Sequence, residues 1–386
     1  MRAHLSAAAL ALLFARLAMA GPKNVTISNT DPLVYFHGRW DTSPGTWWAG
    51  SGFKLHVANL QSLALSLGPH TTQPNAAVGV SVDYGAFITA NVSAGVNQIP
   101  LPPSALGKKK SEATVVRVNV EGWQANRINL EEIILNEVRS VLGPVHTLEN
   151  RVPVHRRLSV RRKPFASPPP PARAHAAQGQ FLPKGVDQAW PFLVGEQYKA
   201  EHVVVAQPGA ALTDIFSYGN AHGLSFQFFR TEDTGYYYTT DHNYTTPWDF
   251  SKDTPATHLV IHIGANDSGQ NVPADQFVQV YTDFLARLRS MREYAHVPIF
   301  VLSPWGWPSA DAPTFYYYPG EYEKIRCRTE HDDKNIFLVN TTGWVTFADV
   351  FPDNQHPTVA GHAKIAGEFQ TWLENWGLHP HSEWRS

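Results

Sequence analysis

Three textures of apolar and polar residues follow one another along the chain. From 21 to 145, short runs alternate between the two kinds: Leu33-Val34-Tyr35-Phe36, Phe53-Lys54-Leu55-His56-Val57, Leu63-Ala64-Leu65-Ser66-Leu67, Val78 to Val82, and Thr114 to Val120. Gly, Pro, Asn and Asp punctuate them. Alternation sends successive side chains to opposite faces, so these runs predict half-buried strands. Many short strands in series predict a β-sandwich of jelly-roll type. Lys108-Lys109-Lys110 reads as a solvated hairpin turn. From 179 to 386 the runs become continuously apolar: Val203-Val204-Val205, Leu259-Val260-Ile261-His262-Ile263, Ile299-Phe300-Val301-Leu302 and Ile336-Phe337-Leu338-Val339. Such runs predict parallel strands covered on both faces. Between the second and third, Phe277, Val280, Tyr281, Phe284, Leu285 and Leu288 recur at helical spacing. Alternating strands and helices predict an α/β unit, a doubly wound parallel sheet with its site at the strands' carboxyl ends.

Between these two regions, 146–178 has no periodicity. Arg151, Arg156, Arg157, Arg161, Arg162, Lys163 and Arg173 crowd around Pro168 to Pro171. The segment reads as a basic, Pro-rich linker.

Composition sharpens this picture in a few places. A chain of 386 residues exceeds one ordinary core, so two domains are expected. A net charge of −2 argues against nucleic acid as a partner. Residues 1–20 read as a signal peptide: Arg2, an apolar stretch from Ala7 to Ala15, and Ala18-Met19-Ala20 before Gly21. That stretch is too short to span a bilayer, so a secreted, extracellular monomer without a membrane partner is expected. Sequons at Asn24, Asn91, Asn243 and Asn340 agree with export. The single cysteine, Cys327, excludes an internal disulfide, makes a metal–thiolate site improbable and is expected to be a small buried hydrophobe.

Candidate chemistry sits where the predicted strands end. Gly209, in Ala206-Gln207-Pro208-Gly209-Ala210, follows one strand, and a glycine there lets a backbone N–H approach a ligand. Asn266, in Gly264-Ala265-Asn266-Asp267, follows another, and its amide can donate to a developing oxyanion. A turn or helix cap is the competing role for such residues. Asp353 and His356, in Asp353-Asn354-Gln355-His356-Pro357, lie three residues apart before a final amphipathic helix; the carboxylate could fix the imidazole tautomer. His262 and His362 read as packing or surface residues.

In this order the motifs resemble the SGNH/GDSL hydrolases, over roughly 180–375. Gly209 matches that family's glycine block, Gly264 and Asn266 its GxND block, Asp353 and His356 its DxxH block. The upstream β-region, with Phe36-His37-Gly38-Arg39-Trp40-Asp41, resembles the jelly-roll preceding this domain in carbohydrate esterase family two, which deacetylates plant cell-wall polysaccharides. The resemblance implies a serine esterase that uses neither metal nor cofactor, with acylated polysaccharide or oligosaccharide as substrate. It implies His356 as general base, Asp353 orienting it, and Gly209 and Asn266 as oxyanion donors.

The nucleophile block is missing: no Gly-Asp-Ser occurs upstream, and Ser159 and Ser167 lie in other contexts. One permitted coding of Arg151 to Arg162 (RVPVHRRLSVRR), read one base later, gives EFPFIGDSLSAG, an apolar strand followed by the missing block. This implies that residues from about 150 to 178 are out-of-frame and intronic sequence, with the frame restored near Gly179. A chain that really carried this segment is expected to lose a central strand and fold poorly. Two aromatic tracts complete the inventory: Phe228-Phe229 with Tyr236-Tyr237-Tyr238 and Trp248, and Trp305-Gly306-Trp307 with Phe315 to Tyr318. Trp305 and Trp307 are the candidates for stacking on sugar. A polysaccharide acetyl esterase, a lipid or small-ester hydrolase, and a non-catalytic carbohydrate-binding protein are the three readings compatible with the sequence.

Overall fold

The computed structural model describes residues 24–46, 48–106, 113–121, 126–136, 158–161 (backbone), 182–231, 245–330 and 333–384. The signal-peptide residues, Lys108 to Lys110, Asn243 and Tyr236 to Tyr238 lie outside them.

Ten strands build the N-terminal part: β1 (Val25–Ser28), β2 (Tyr35–His37), β3 (Gly45–Thr46), β4 (Gly52–Ala58), β5 (Leu63–Leu67), β6 (Ala76–Val82), β7 (Ile88–Val92), β8 (Gly95–Ile99), β9 (Ala113–Val120) and β10 (Ile128–Leu135), with a single helical turn, α1 (Pro103–Leu106). They form two antiparallel sheets. One runs β1-β10-β5-β8 with β3 beside β10; the other runs β2-β4-β9-β6-β7. Leu55, Val78 and Val118 from one sheet and Leu65, Ile133 and Leu135 from the other share one core. The alternating runs of the sequence supply these inward positions, as expected of a sandwich.

Five further strands form a wholly parallel sheet: β11 (Leu158–Arg161), β12 (His202–Val204), β13 (His258–His262), β14 (Ile299–Leu302) and β15 (Ile336–Val339), in the order β12-β11-β13-β14-β15. The helices are α2 (Trp190–Tyr198), α3 (Leu224–Gln227), α4 (Ala265–Gly269), α5 (Ala274–Arg289), α6 (Glu321–Glu330) and α7 (Val359–Trp376). Leu259 and Ile261 of β13 pack with Phe277, Tyr281 and Phe284 of α5 and Ile325 of α6. Val260, between them, packs with Trp190 of α2 and Phe369 of α7 in a separate core. Helical layers therefore cover both faces, and this is why β13 reads as one unbroken apolar run.

The expected linker is corrected here. Leu158–Arg161 is the second strand of the sheet, with Leu158 opposite both His202 and His258. Its backbone completes the ladder on both sides, so the expected loss of a central strand does not occur. A parallel ladder is made by main-chain groups, which any non-proline residue carries.

The sandwich grips the parallel-sheet part through polar contacts that are buried or partly buried. Lys54 pairs with Glu201, Arg117 with Glu196 at 2.7 Å, and Asn119 Nδ2 donates to Asp187 Oδ1 at 3.0 Å. Burial pushes the Glu201 carboxyl up, but the Lys54 ammonium outweighs it and holds it at about 2. Burial pushes Glu121 up to about 7, although Thr89 donates to it at 2.7 Å. Asp187 is pushed up by the same cause. β12 is outermost in its sheet. Trp48 of the sandwich joins the core on the Val203 face, and the Gly50 backbone lies against Val204 on the other.

Candidate active site

The loop after β12 and the short helix after β13 are tied together by side chains from Asn266 and Asp267. Asp267 is fully buried and accepts from Leu212 N at 2.8 Å and Thr213 N at 2.9 Å. Burial raises its pKa while these two N–H groups act against the rise. Asn266 Nδ2 donates to Ala210 O at 3.0 Å. From the other side, Ser217 Oγ donates to Gly209 O at 2.6 Å and Asn220 Nδ2 to Pro208 O at 2.6 Å. Gly209 is thus fixed at φ +81°, and a Cβ there would lie 2.6 Å from Tyr218 Cβ. Its N–H has no acceptor among the described residues. An amide carries two N–H bonds, so Asn266 also keeps one after serving Ala210. Two donors, one on the loop after β12 and one on the short helix after β13, therefore stand on either side of β11, which lies between those strands. At Gly264, φ is +126° and a Cβ would run into the hydroxyl of Tyr322, which donates to Ile263 O at 2.6 Å.

His356 is half-buried in a tight turn. Phe351 N donates to His356 O at 2.8 Å, and Gln355 N to Phe351 O at 2.7 Å. The His356 Nδ1 atom lies 2.7 Å from the carbonyl oxygen of Asn354. A carbonyl only accepts, so Nδ1 carries a proton in this turn. Asp353 is exposed, and no hydrogen bond joins it to His356; its expected orienting role is corrected. Its side chain leaves the turn toward solvent while the Asn354 main chain faces the ring. The Trp307 ring meets His356 edge-on at 5.5 Å, which puts this candidate beside the histidine. No hydrogen bond among the described residues joins His356 to Gly209 or Asn266.

Other expectations fall out differently. Trp305 is 8% exposed, stacks on His262 at 4.2 Å and meets Trp190 edge-on, so it is a core residue and not a sugar platform. His262 and His362 are both buried; His362 Nδ1 accepts from Trp190 N at 3.1 Å at the start of α2. Phe228 and Phe229 are buried in the core. Phe315, by contrast, is 60% exposed, and its backbone pairs with Trp307 in both directions. Cys327 is exposed on α6, against the expectation of burial. Ser159 is the second residue of β11, opposite Val203 and Leu259, and so lies within the ladder and not at its end. Sequence reasoning assigned nothing to Asp267, Ser217 or Asn220; only the position of Asp267 beside Asn266 hinted at a role.

No family model and no curated protein matches the chain. Solved structures do. A family two carbohydrate esterase from Cellvibrio japonicus superposes with a TM-score of 0.67 at 15% identity, over 92% of this chain and 98% of that one. The chain has the fold of the family two carbohydrate esterases. One from Clostridium thermocellum, in complex with cellohexaose, gives 0.65 at 18% identity, over 89% of this chain and 98% of that one. An acetyl xylan esterase from the rumen bacterium Butyrivibrio proteoclasticus gives 0.64 at 14%, over 92% and 98%. The likeness to this fold spans both the sandwich and the parallel-sheet part.

Proposed function

We propose that this protein derives from a secreted serine esterase that removes acetyl or other short acyl groups from carbohydrate, plant cell-wall polysaccharide among the candidates, and that its nucleophile block is missing from the chain as given. The observation that carries the reading is the pair of donors, Gly209 N–H and Asn266 Nδ2, standing on either side of β11. A serine at the carboxyl end of that strand would attack the ester carbonyl while His356 Nε2 takes its proton. The carbonyl oxygen, now negative, would be held by the two donors. Collapse would expel the sugar alcohol, which takes the proton back from His356. Water would then release the acyl group as acid by the same route. The solved carbohydrate esterases of this fold, one of them in complex with cellohexaose, support a carbohydrate substrate. Exposed Asn24, Asn91 and Asn340 suit N-glycan attachment on an exported chain.

The domain limits proposed are 1–20 signal peptide, 21–145 sandwich, 146–178 the misread segment and 179–386 the doubly wound hydrolase domain. Two versions test the function: the chain as given, and one in which EFPFIGDSLSAG replaces Arg151 to Gly179. Acetate release from acetylated xylan by the second version alone is expected. A transcript that encodes RVPVHRRLSV in frame would overturn the missing-block reading. One observation favours a second reading, a non-catalytic carbohydrate binder: Ser159 lies inside the β11 ladder, out of reach of a strand-end nucleophile position. Activity in neither version, with retained polysaccharide binding by the chain as given, is the result that selects it.

A further inference from the structure

Beside the outermost strand β12 lies a cavity of about 420 Å³, lined by Val203, by Val205 just after that strand, and by the segments that lead into β13 and β14. Sites for small molecules span about 300–1,000 Å³. Arg39 of the sandwich lines it and is 3% exposed. Its guanidinium lies 5.0–5.5 Å from the ring centroids of Trp48, Phe228, Trp248 and Phe250. Nη1 donates to Arg230 O at 2.8 Å and Gln227 O at 3.4 Å, which uses both of its hydrogens. The Nε–H and Nη2–H groups have no acceptor among the described residues, and no carboxylate there lies within ion-pair distance of Arg39. Burial lowers its pKa only to about 10, so the group stays charged at neutral pH.

These two groups are not sealed in the core but open onto the cavity, where a ligand can reach them. Anchoring the sandwich explains Nη1 but not the other edge of the guanidinium. That edge, Nε–H beside Nη2–H, is the fork that matches a planar carboxylate. The remaining charges lining the cavity choose among anions. Arg39 and Arg292 are balanced by Asp253 and Glu293, so a monoanion fits and a phosphate dianion would face two carboxylates. Glu293 can accept hydroxyl hydrogens, and Phe250 offers an apolar face to a sugar's C–H groups.

We propose that this cavity is a binding site for a carboxylate-bearing monosaccharide unit, a hexuronate, held by its carboxylate on the Nε/Nη2 edge of Arg39. The cavity is not lined by Gly209, Asn266 or His356 and does not depend on the esterase reading.

Calorimetric titration of the full-length chain with glucuronate, glucose and inorganic phosphate tests it. Glucuronate is expected to bind one-to-one and at least about tenfold more tightly than the other two, the scale of a charge-assisted pair. Arg39→Gln should weaken glucuronate binding by about tenfold or more. Ser251 lines the mouth and is exposed, so Ser251→Trp should block the cavity without disturbing the core, and serves where Arg39→Gln does not fold. Glucose or phosphate binding as tightly as glucuronate would overturn the carboxylate fork. Absence of glucuronate binding, or binding unchanged in a folded Ser251→Trp protein, would leave Arg39 as a strut alone and overturn the site.

Discussion

The Asn354 carbonyl oxygen takes the place beside His356 that the sequence spacing offered to Asp353. Asp353 and His356 are three residues apart, and spacing alone says nothing about which way a side chain leaves a turn. In the version that carries the Gly-Asp-Ser block, Asp353→Ala should therefore change kcat/KM by no more than about twofold, as for a surface substitution. Asn266→Ala should lower kcat by about 10²–10³ with KM little changed, the usual result of losing an oxyanion donor. Acetate-release kinetics on a small ester read both. A large loss in Asp353→Ala would restore the carboxylate to the mechanism. The placement of Gly209 and Asn266 after strand ends was legible because each follows directly on an apolar run. Trp305 and Trp307 looked equivalent, yet only Trp307 meets His356. Cys327 could have been placed: Tyr322 and Ile325 mark the buried face of α6, and a residue two beyond Ile325 falls opposite it.

Among elements, those with their own apolar signature were legible. β13, β14 and β15 coincide with continuous runs, and α5 with a helical stripe. β10 was missed because Glu131-Glu132 breaks its alternation, and the ladder to β5 shifts register there. β11 was missed because Leu-Ser-Val-Arg has no pattern that separates it from a linker; its place is set by the backbone groups of β12 and β13 on either side. A linker and a central strand respond differently to proline. Ser159→Pro removes a ladder N–H between two paired neighbours, so it should destabilise the chain by about 3 kcal/mol or abolish folding. Thermal unfolding of the chain as given checks this, and an unchanged melting temperature would return 158–161 to linker.

For the whole molecule, stability depends on carboxyls buried between the sandwich and the parallel-sheet part. Glu121 is held protonated up to about 7 in the fold, against 4.5 for a free carboxyl. Its stabilising contribution is full below about 4.5 and is lost as pH rises through about 7, by up to about 3 kcal/mol. Asp187 acts in the same direction, whereas Glu201, held at about 2, loses its contribution as pH falls through that value. Urea midpoints should therefore drop from about pH 5 to about pH 8, and Glu121→Gln should flatten that slope; parallel slopes would remove Glu121 from the account. None of this was legible in the sequence, because burial between two units separated by the unpatterned segment 146–178 leaves no local periodicity. The grip of Trp48 and Gly50 on both faces of β12 carries a last consequence. An outermost strand whose main-chain groups are left open is a template for other chains. With the sandwich packed over both faces of β12, a second chain would have to displace it to add a strand there, so a fragment freed from the sandwich should form intermolecular β-aggregates where the intact chain stays dispersed.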